Sequence, residues 1–131
     1  MTTYTKEEKK TYLEGLRNRW SETKKQVDEK KLGEIKAIIQ NHGMNVSPYS
    51  YYFVALQINR LGWEGIPYLD YKTFKGWESN GFKVKKGEKS QIKGITWVTP
   101  YKKDADGNEV EADFTFPKEY YLFGRHQVEA I

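Results

Sequence analysis

The chain contains no cysteine, which excludes disulfide staples, thiolate metal ligands and a thiol nucleophile, and fits a reducing cytoplasm. Long apolar runs are missing too. None approaches the roughly 20 residues that a membrane-spanning helix requires, and the amino-terminal MTTYTKEEKK lacks the apolar segment of a secretory leader. Membrane insertion is therefore not expected. Histidine is represented only by His42 and His126, too far apart to supply the paired ligands of a helical zinc motif.

What is present is a chain of 131 residues and 15.4 kDa, suited to one domain with a modest core. Aromatic residues make up 15% of it and supply much of the apolar area, while 31% charged residues and a mean hydropathy of −0.86 describe a heavily solvated surface. The net charge of +4 is unevenly spread. Between Tyr71 and Lys93 the sequence reads YKTFKGWESNGFKVKKGEKSQIK, in which Lys72, Lys75, Lys83, Lys85, Lys86, Lys89 and Lys93 face only Glu78 and Glu88, an excess of +5. Everything outside this stretch sums to about −1, so the basic character is local, and a local cationic patch implies a polyanionic partner.

Periodicity and capping signals predict helices first. Thr5 followed by Glu8 fits a capping box, and Leu13, Leu16, Trp20 and Val27 recur at helical spacing, predicting helix from about Lys6 to Gln40 in one or two pieces with Gly33 as the candidate break. Ser47 before Pro48 predicts a second start, with Tyr52, Phe53, Leu56 and Arg60 on one side and Gly62 at its end. A loop from Trp63 to Leu69 leads to a short helix entered at Asp70 and left at Asn80 and Gly81. On it Tyr71, Phe74 and Trp77 form a stripe that reads as core, flanked by Lys72 and Lys75. Further on, Gln91 to Tyr101 reads as a strand and Phe114 to Phe123 as its antiparallel partner, with Pro117 weakening the first half or placing it on an edge. The acidic link KKDADGNEVEAD reads as an exposed hairpin tip. The fold class is α+β: amino-terminal helices, a short helix, then a small antiparallel sheet.

Between the short helix and the strands, alternation places Phe82 and Val84 on one side and Lys83 and Lys85 on the other, and Lys86 and Gly87 make a turn. A turn crowded with amines, with glycine permitting close approach of the backbone, can neutralise adjacent phosphates. Only four of the 22 basic residues are arginine, which suits point-charge contact with phosphate rather than bidentate reading of base edges.

Tyr71, Thr73, Phe74, Lys75 and Trp77, followed by Gly81, Val84, Lys85, Lys86, Gly87, Glu88 and Lys89, resemble the TFK...G..V.KGEK signature of the amino-terminal single-stranded-DNA-binding domain of ArdC-type antirestriction proteins. The closing PKEYYLFGRHQVEAI, with Gln127 in its tail, resembles that family's last strand. The likeness covers roughly Ser47 to Ile131, with residues 1–46 as a helical extension matching only in character. It implies sequence-tolerant binding of single-stranded DNA by plasmid- or phage-borne proteins that shield DNA from host restriction. Full-length members add a metallopeptidase-like domain marked by HExxH, which this sequence does not contain, so the resemblance implies binding without catalysis or cofactor.

Such binding requires stacking faces for bases beside the amines. Tyr49, Tyr51, Trp63, Tyr68 and Trp97 are the candidates outside the core stripe, with Trp63, Tyr68 and Trp97 foremost. Lys72, Lys75, Lys83, Lys85, Lys86, Gly87, Lys89 and Lys93 are the expected phosphate contacts, and Tyr71, Phe74, Trp77 and Val84 the expected core of the motif. The alternative is a small inhibitor that docks on a host defence nuclease, with the acidic segment Asp104 to Asp113 as its second contact. An enzyme is not indicated: the Asp104, Asp106 and Asn108 spacing lacks the glycine and glutamate positions of a calcium loop, and Asp70 and Glu78 fall at opposite ends of one short helix.

Overall fold

The computed structural model describes residues 5–131, so the first four residues of the segment read above for a secretory leader lie outside it. Helix α1 (Lys6–Lys25) begins as expected, the Thr5 hydroxyl accepting the Glu8 N–H at 3.1 Å. The expected break at Gly33 is corrected. The chain leaves the helix at Gln26 and re-enters at Asp28, whose carboxylate accepts the Lys31 N–H at 2.8 Å and starts α2 (Glu29–Asn41), so Gly33 lies inside a helix. An aspartate able to cap free amides outweighs one mid-helix glycine, which costs only about 1 kcal/mol. Helix α3 (Pro48–Arg60) starts on Ser47, with proline in its first turn, as the sequence predicts.

The rest of the chain is a run of short strands around one short helix: β1 (Tyr71–Lys72), α4 (Phe74–Ser79), β2 (Phe82–Val84), β3 (Ile92–Val98), β4 (Tyr101–Lys103), β5 (Glu109–Glu111), β6 (Phe116–Gly124), a 3-10 turn (Arg125–Gln127) and β7 (Val128–Ala130). Strands β1, β6 and β3 form an antiparallel sheet in that order, and β2 pairs with β7. The acidic link adds a small β4–β5 ladder whose tip, Asp104 to Asn108, is exposed. The α+β class holds. So does the edge reading of Pro117: β1 covers only Phe123 and Gly124 of β6, leaving the side of Pro117 away from β3 unpaired.

Two expectations are overturned around the short helix. It begins after Thr73, whose hydroxyl caps the Gly76 N–H at 3.1 Å, and not at Asp70, because Tyr71 and Lys72 are drawn into the sheet opposite Gly124 and Phe123. The aromatic stripe therefore dissolves. Tyr71 and Trp77 are core at 1% exposure, but Phe74 is 50% exposed. The buried side of α3 also differs from the expected Tyr52, Phe53, Leu56 and Arg60; it is Tyr51, Phe53, Val54 and Ile58, with Arg60 exposed. The reason is the position of α3 along the open edge of β3. There the Gln57 side chain accepts the Lys93 N–H at 2.9 Å and donates to the Lys93 carbonyl at 2.7 Å, replacing the missing neighbour strand. A helix at an edge reaches both sheet faces: Val54 and Ile58 join Tyr71, Ile92 and Leu122 in one cluster, and Phe53 joins Leu16 and Ile95 in another.

Candidate nucleic-acid interface

The lysine turn is built and held by the tail of the chain. Strand β2 alternates as expected, Phe82 and Val84 half-buried and Lys83 exposed, and β7 pairs with it so that Val84 faces Val128. The Lys85 N–H then donates to the Gln127 carbonyl at 2.9 Å, and the Glu88 N–H closes the turn on the Lys85 carbonyl at 3.1 Å. Gly87 supplies the left-handed φ of 88° that this turn needs. Gln127 is the keystone, only 2% exposed. Its Oε1 accepts the Gly124 N–H at 2.8 Å, while its Nε2 donates to the Lys89 carbonyl at 2.8 Å and to Glu88 Oε2 at 3.2 Å. The amine-bearing turn is thus fixed to the corner where β6 ends.

The lysines divide by what already holds them. Lys86 and Lys89 are exposed, and among the described residues their ammonium groups have no hydrogen-bond or ion-pair partner. Lys75 is likewise exposed on α4, beside Phe74. The Lys85 ammonium donates to the His126 carbonyl at 3.2 Å, and Lys83 pairs with Glu129 across the β2–β7 ladder at 3.8 Å. Lys72 has a packing role: its ammonium donates to the Tyr68 carbonyl at 2.8 Å and stands 5.8 Å from the Trp77 ring centroid. Lys93 belongs to a different groove. It pairs with Glu119 at 3.7 Å and lies over Tyr121, in a cavity of about 970 Å³ shared with Tyr12 and the first turn of α1. There the Tyr12 hydroxyl, donating to Glu119, is pushed up to about 12 by burial and then by that carboxylate.

The stacking candidates also separate. Tyr51 is buried, and Tyr49 is half-buried with Lys24 at 5.2 Å from its ring centroid. Tyr68, with a left-handed φ of 67°, exchanges a 2.5 Å hydrogen bond with Tyr120, and burial pushes both hydroxyls up. Trp97 is 38% exposed and meets Trp20 edge-on, on the strand end remote in register from the turn. Trp63 lines an open groove of about 660 Å³ with Glu64, Gly65, Asp70, Arg125 and His126. Phe74, read as core, is one of the most exposed aromatic rings in the motif.

Arg125, His126 and Gln127 escaped the sequence reading as site residues, although all sit in the closing segment. Arg125 Nε donates to Asp70 Oδ1 at 2.9 Å and its guanidinium covers the buried Trp77 ring at 5.2 Å. Burial alone would raise the Asp70 carboxyl, but the Ile66 N–H at 2.7 Å and the Arg125 guanidinium outweigh it and hold the group below its ordinary value. Among the described residues no cluster of His, Asp and Glu is placed to hold a metal ion, and no helix is long and apolar enough to cross a membrane.

No protein-family model matches the chain, and no curated protein matches it. Among solved structures it is similar to the metal-free crystal structure of the antirestriction protein ArdC from the R388 plasmid, at 20% identity and a TM-score of 0.49 over 63% of this chain. The match spans 28% of that protein's chain.

Proposed function

We propose that this chain binds single-stranded DNA with little regard to sequence, gripping the sugar–phosphate backbone through the Lys85–Lys89 turn, and that it carries no catalysis of its own. The supporting observation is the turn itself. A merely solubilising loop needs no anchor, whereas here the buried Gln127 amide and the Lys85–Gln127 backbone bond hold several amines on a fixed frame. A turn whose backbone is already held loses less freedom when its lysines meet phosphates, and among the described residues the Lys86 and Lys89 ammonium groups have no partner to give up first. Exposed Phe74 and half-buried Trp63 supply aromatic surface near the same elements. Protection of mobile DNA against host restriction is the setting that the motif resemblance implies, and we propose it for this chain on that ground.

The test is fluorescence anisotropy with labelled single and double strands across a salt series. Affinity for the single strand should fall steeply with salt, and Lys85→Ala with Lys86→Ala should flatten the slope by about 1 to 2 while thermal unfolding barely moves. An unchanged slope in the double variant would move the contact elsewhere. Failure to retain either form at low salt would end the nucleic-acid reading and favour docking on a host defence protein.

A further inference from the structure

The groove beside the turn has a shape that the phosphate-binding reading does not use. The Trp63 indole lies parallel to the buried Tyr71 ring, at 12° with centroids 6.4 Å apart, and meets the His126 imidazole at 81° with centroids only 4.3 Å apart. Two rings at nearly a right angle form a corner. A flat heterocycle laid on one wall turns an edge toward the other. The corner is also built rather than incidental. A Cβ at Gly124 would stand 2.7 Å from His126 Cε1 and 3.0 Å from Tyr71 Cε1, and one at Gly65 would stand 2.9 Å from Asp70 Cβ and 3.1 Å from Tyr71 Cε2. The His126 wall and the Tyr71 ring that backs Trp63 therefore lie against glycines where an added side chain would crowd them.

The rim adds polar edges. Asp70 accepts from the Ile66 N–H on Oδ2 and from Arg125 Nε on Oδ1, and Arg125 also gives Nη2 to the Leu69 carbonyl at 3.2 Å. Among the described residues Arg125 Nη1 and the ring nitrogens of His126 make no hydrogen bond, so the rim retains polar groups for an incoming edge. The position along the chain matters most. Arg125 and His126 form the same 3-10 turn as Gln127, which pins the lysines, and the Lys85 ammonium touches the His126 carbonyl at 3.2 Å. The lysine turn and the aromatic corner are thus joined through three consecutive residues, with the Lys85 ammonium against the His126 backbone.

From this juxtaposition we infer that the Trp63–His126 corner is a subsite for one unpaired nucleobase, whose neighbouring phosphate lies on the Lys85–Lys89 turn. The inference rests on the proposed binding of single strands and predicts a preference for them over duplex: a base in a duplex is stacked on both faces and paired along its edge, so it cannot enter a corner that needs one face and one edge. Recognition by stacking also keeps the subsite tolerant of sequence, because every base has a flat face.

The experiment compares a single-stranded oligonucleotide with an abasic strand of the same length, against wild type, His126→Ala, Trp63→Phe and Lys86→Ala. His126 is exposed, so its truncation should leave folding intact, which thermal unfolding checks. Wild type should bind the base-bearing strand roughly tenfold more tightly than the abasic one. His126→Ala should remove most of that difference while leaving abasic binding and the salt slope unchanged, and Trp63→Phe should reduce it partly. Lys86→Ala should weaken both strands alike. Equal binding of the two strands by wild type, or an equal effect of His126→Ala on both, overturns the subsite and leaves the phosphate clamp standing. Loss of all binding in wild type removes the clamp as well.

Discussion

Replacing Gln127 with alanine should be among the costliest single changes in the chain. Truncation deletes the acceptor for the buried Gly124 N–H and the donor for the Lys89 carbonyl, and a buried backbone group left without a partner costs about 1–3 kcal/mol. The bond to Glu88 adds little, because that carboxylate is exposed and returns to water. Loss of packed methylene groups contributes roughly 1 kcal/mol more. The Lys89 carbonyl is only partly buried and can regain water, so the expected destabilisation is about 2–4 kcal/mol, measured by urea unfolding. Hydrogen exchange supplies the local readout: the Lys85 and Glu88 amides, which close the turn, should lose protection more than the amides of the β3–β6 ladder. Gln127→Glu sharpens the test. It keeps an acceptor for Gly124 but sets a carboxylate against Glu88 and the Lys89 carbonyl, so its folded pKa must exceed its unfolded one. Relative to wild type, the variant's stability should be best below the unfolded pKa of the new carboxyl and fall away as pH rises through the folded one. Unfolding of Gln127→Ala within about 1 kcal/mol of wild type, with unchanged exchange in the turn, would refute the keystone reasoning.

Three further outcomes follow from the geometry. Gly94 lies opposite Tyr120 in the β3–β6 pair, and a Cβ there would overlap the Tyr120 ring, so Gly94→Ala should cost about 1–3 kcal/mol and disturb the Tyr68–Tyr120 bond, visible in the near-ultraviolet dichroism of the tyrosines. Phe74→Ala should cost under about 1 kcal/mol in thermal unfolding, where a core phenylalanine would cost roughly 3–5; a large loss would mean the ring is not half exposed as found. The Asp70 carboxyl sits below its unfolded value of 3.8, so its contribution is complete above about pH 5 and is lost as pH falls through the folded value. Asp70→Asn should accordingly lower stability at neutral pH and flatten the acid limb of the stability profile.

The parts of the fold legible in the sequence are those decided within a few residues. Thr5 and Ser47 cap their helices because each hydroxyl reaches an amide three positions ahead, whatever the rest of the chain does. The Lys86–Gly87 turn and the β3–β6 pair were readable for the same reason, from a glycine between alternating segments and from β-branched and aromatic runs. Asp28 carries a signal of the same kind: its cap is as local as that of Ser47, and it sets the break five residues before Gly33, where the sequence reading places it.

Sequence alone determined that this is an α+β chain with its positive charge gathered in one stretch, since charge and periodicity are additive properties of neighbouring residues. Tertiary structure alone decided which of those charges are free and which aromatics are walls. Tyr71 leaves its helical stripe because Gly124 offers it a strand partner, and Phe74 is thereby turned to solvent. Gln57 closes the edge of β3, Gln127 locks the lysine turn, and His126 meets Trp63 across 63 positions of chain. Each of these depends on two remote segments being brought to hydrogen-bond or van der Waals distance, and an amide or a ring carries no mark in the sequence of the distant partner it will find.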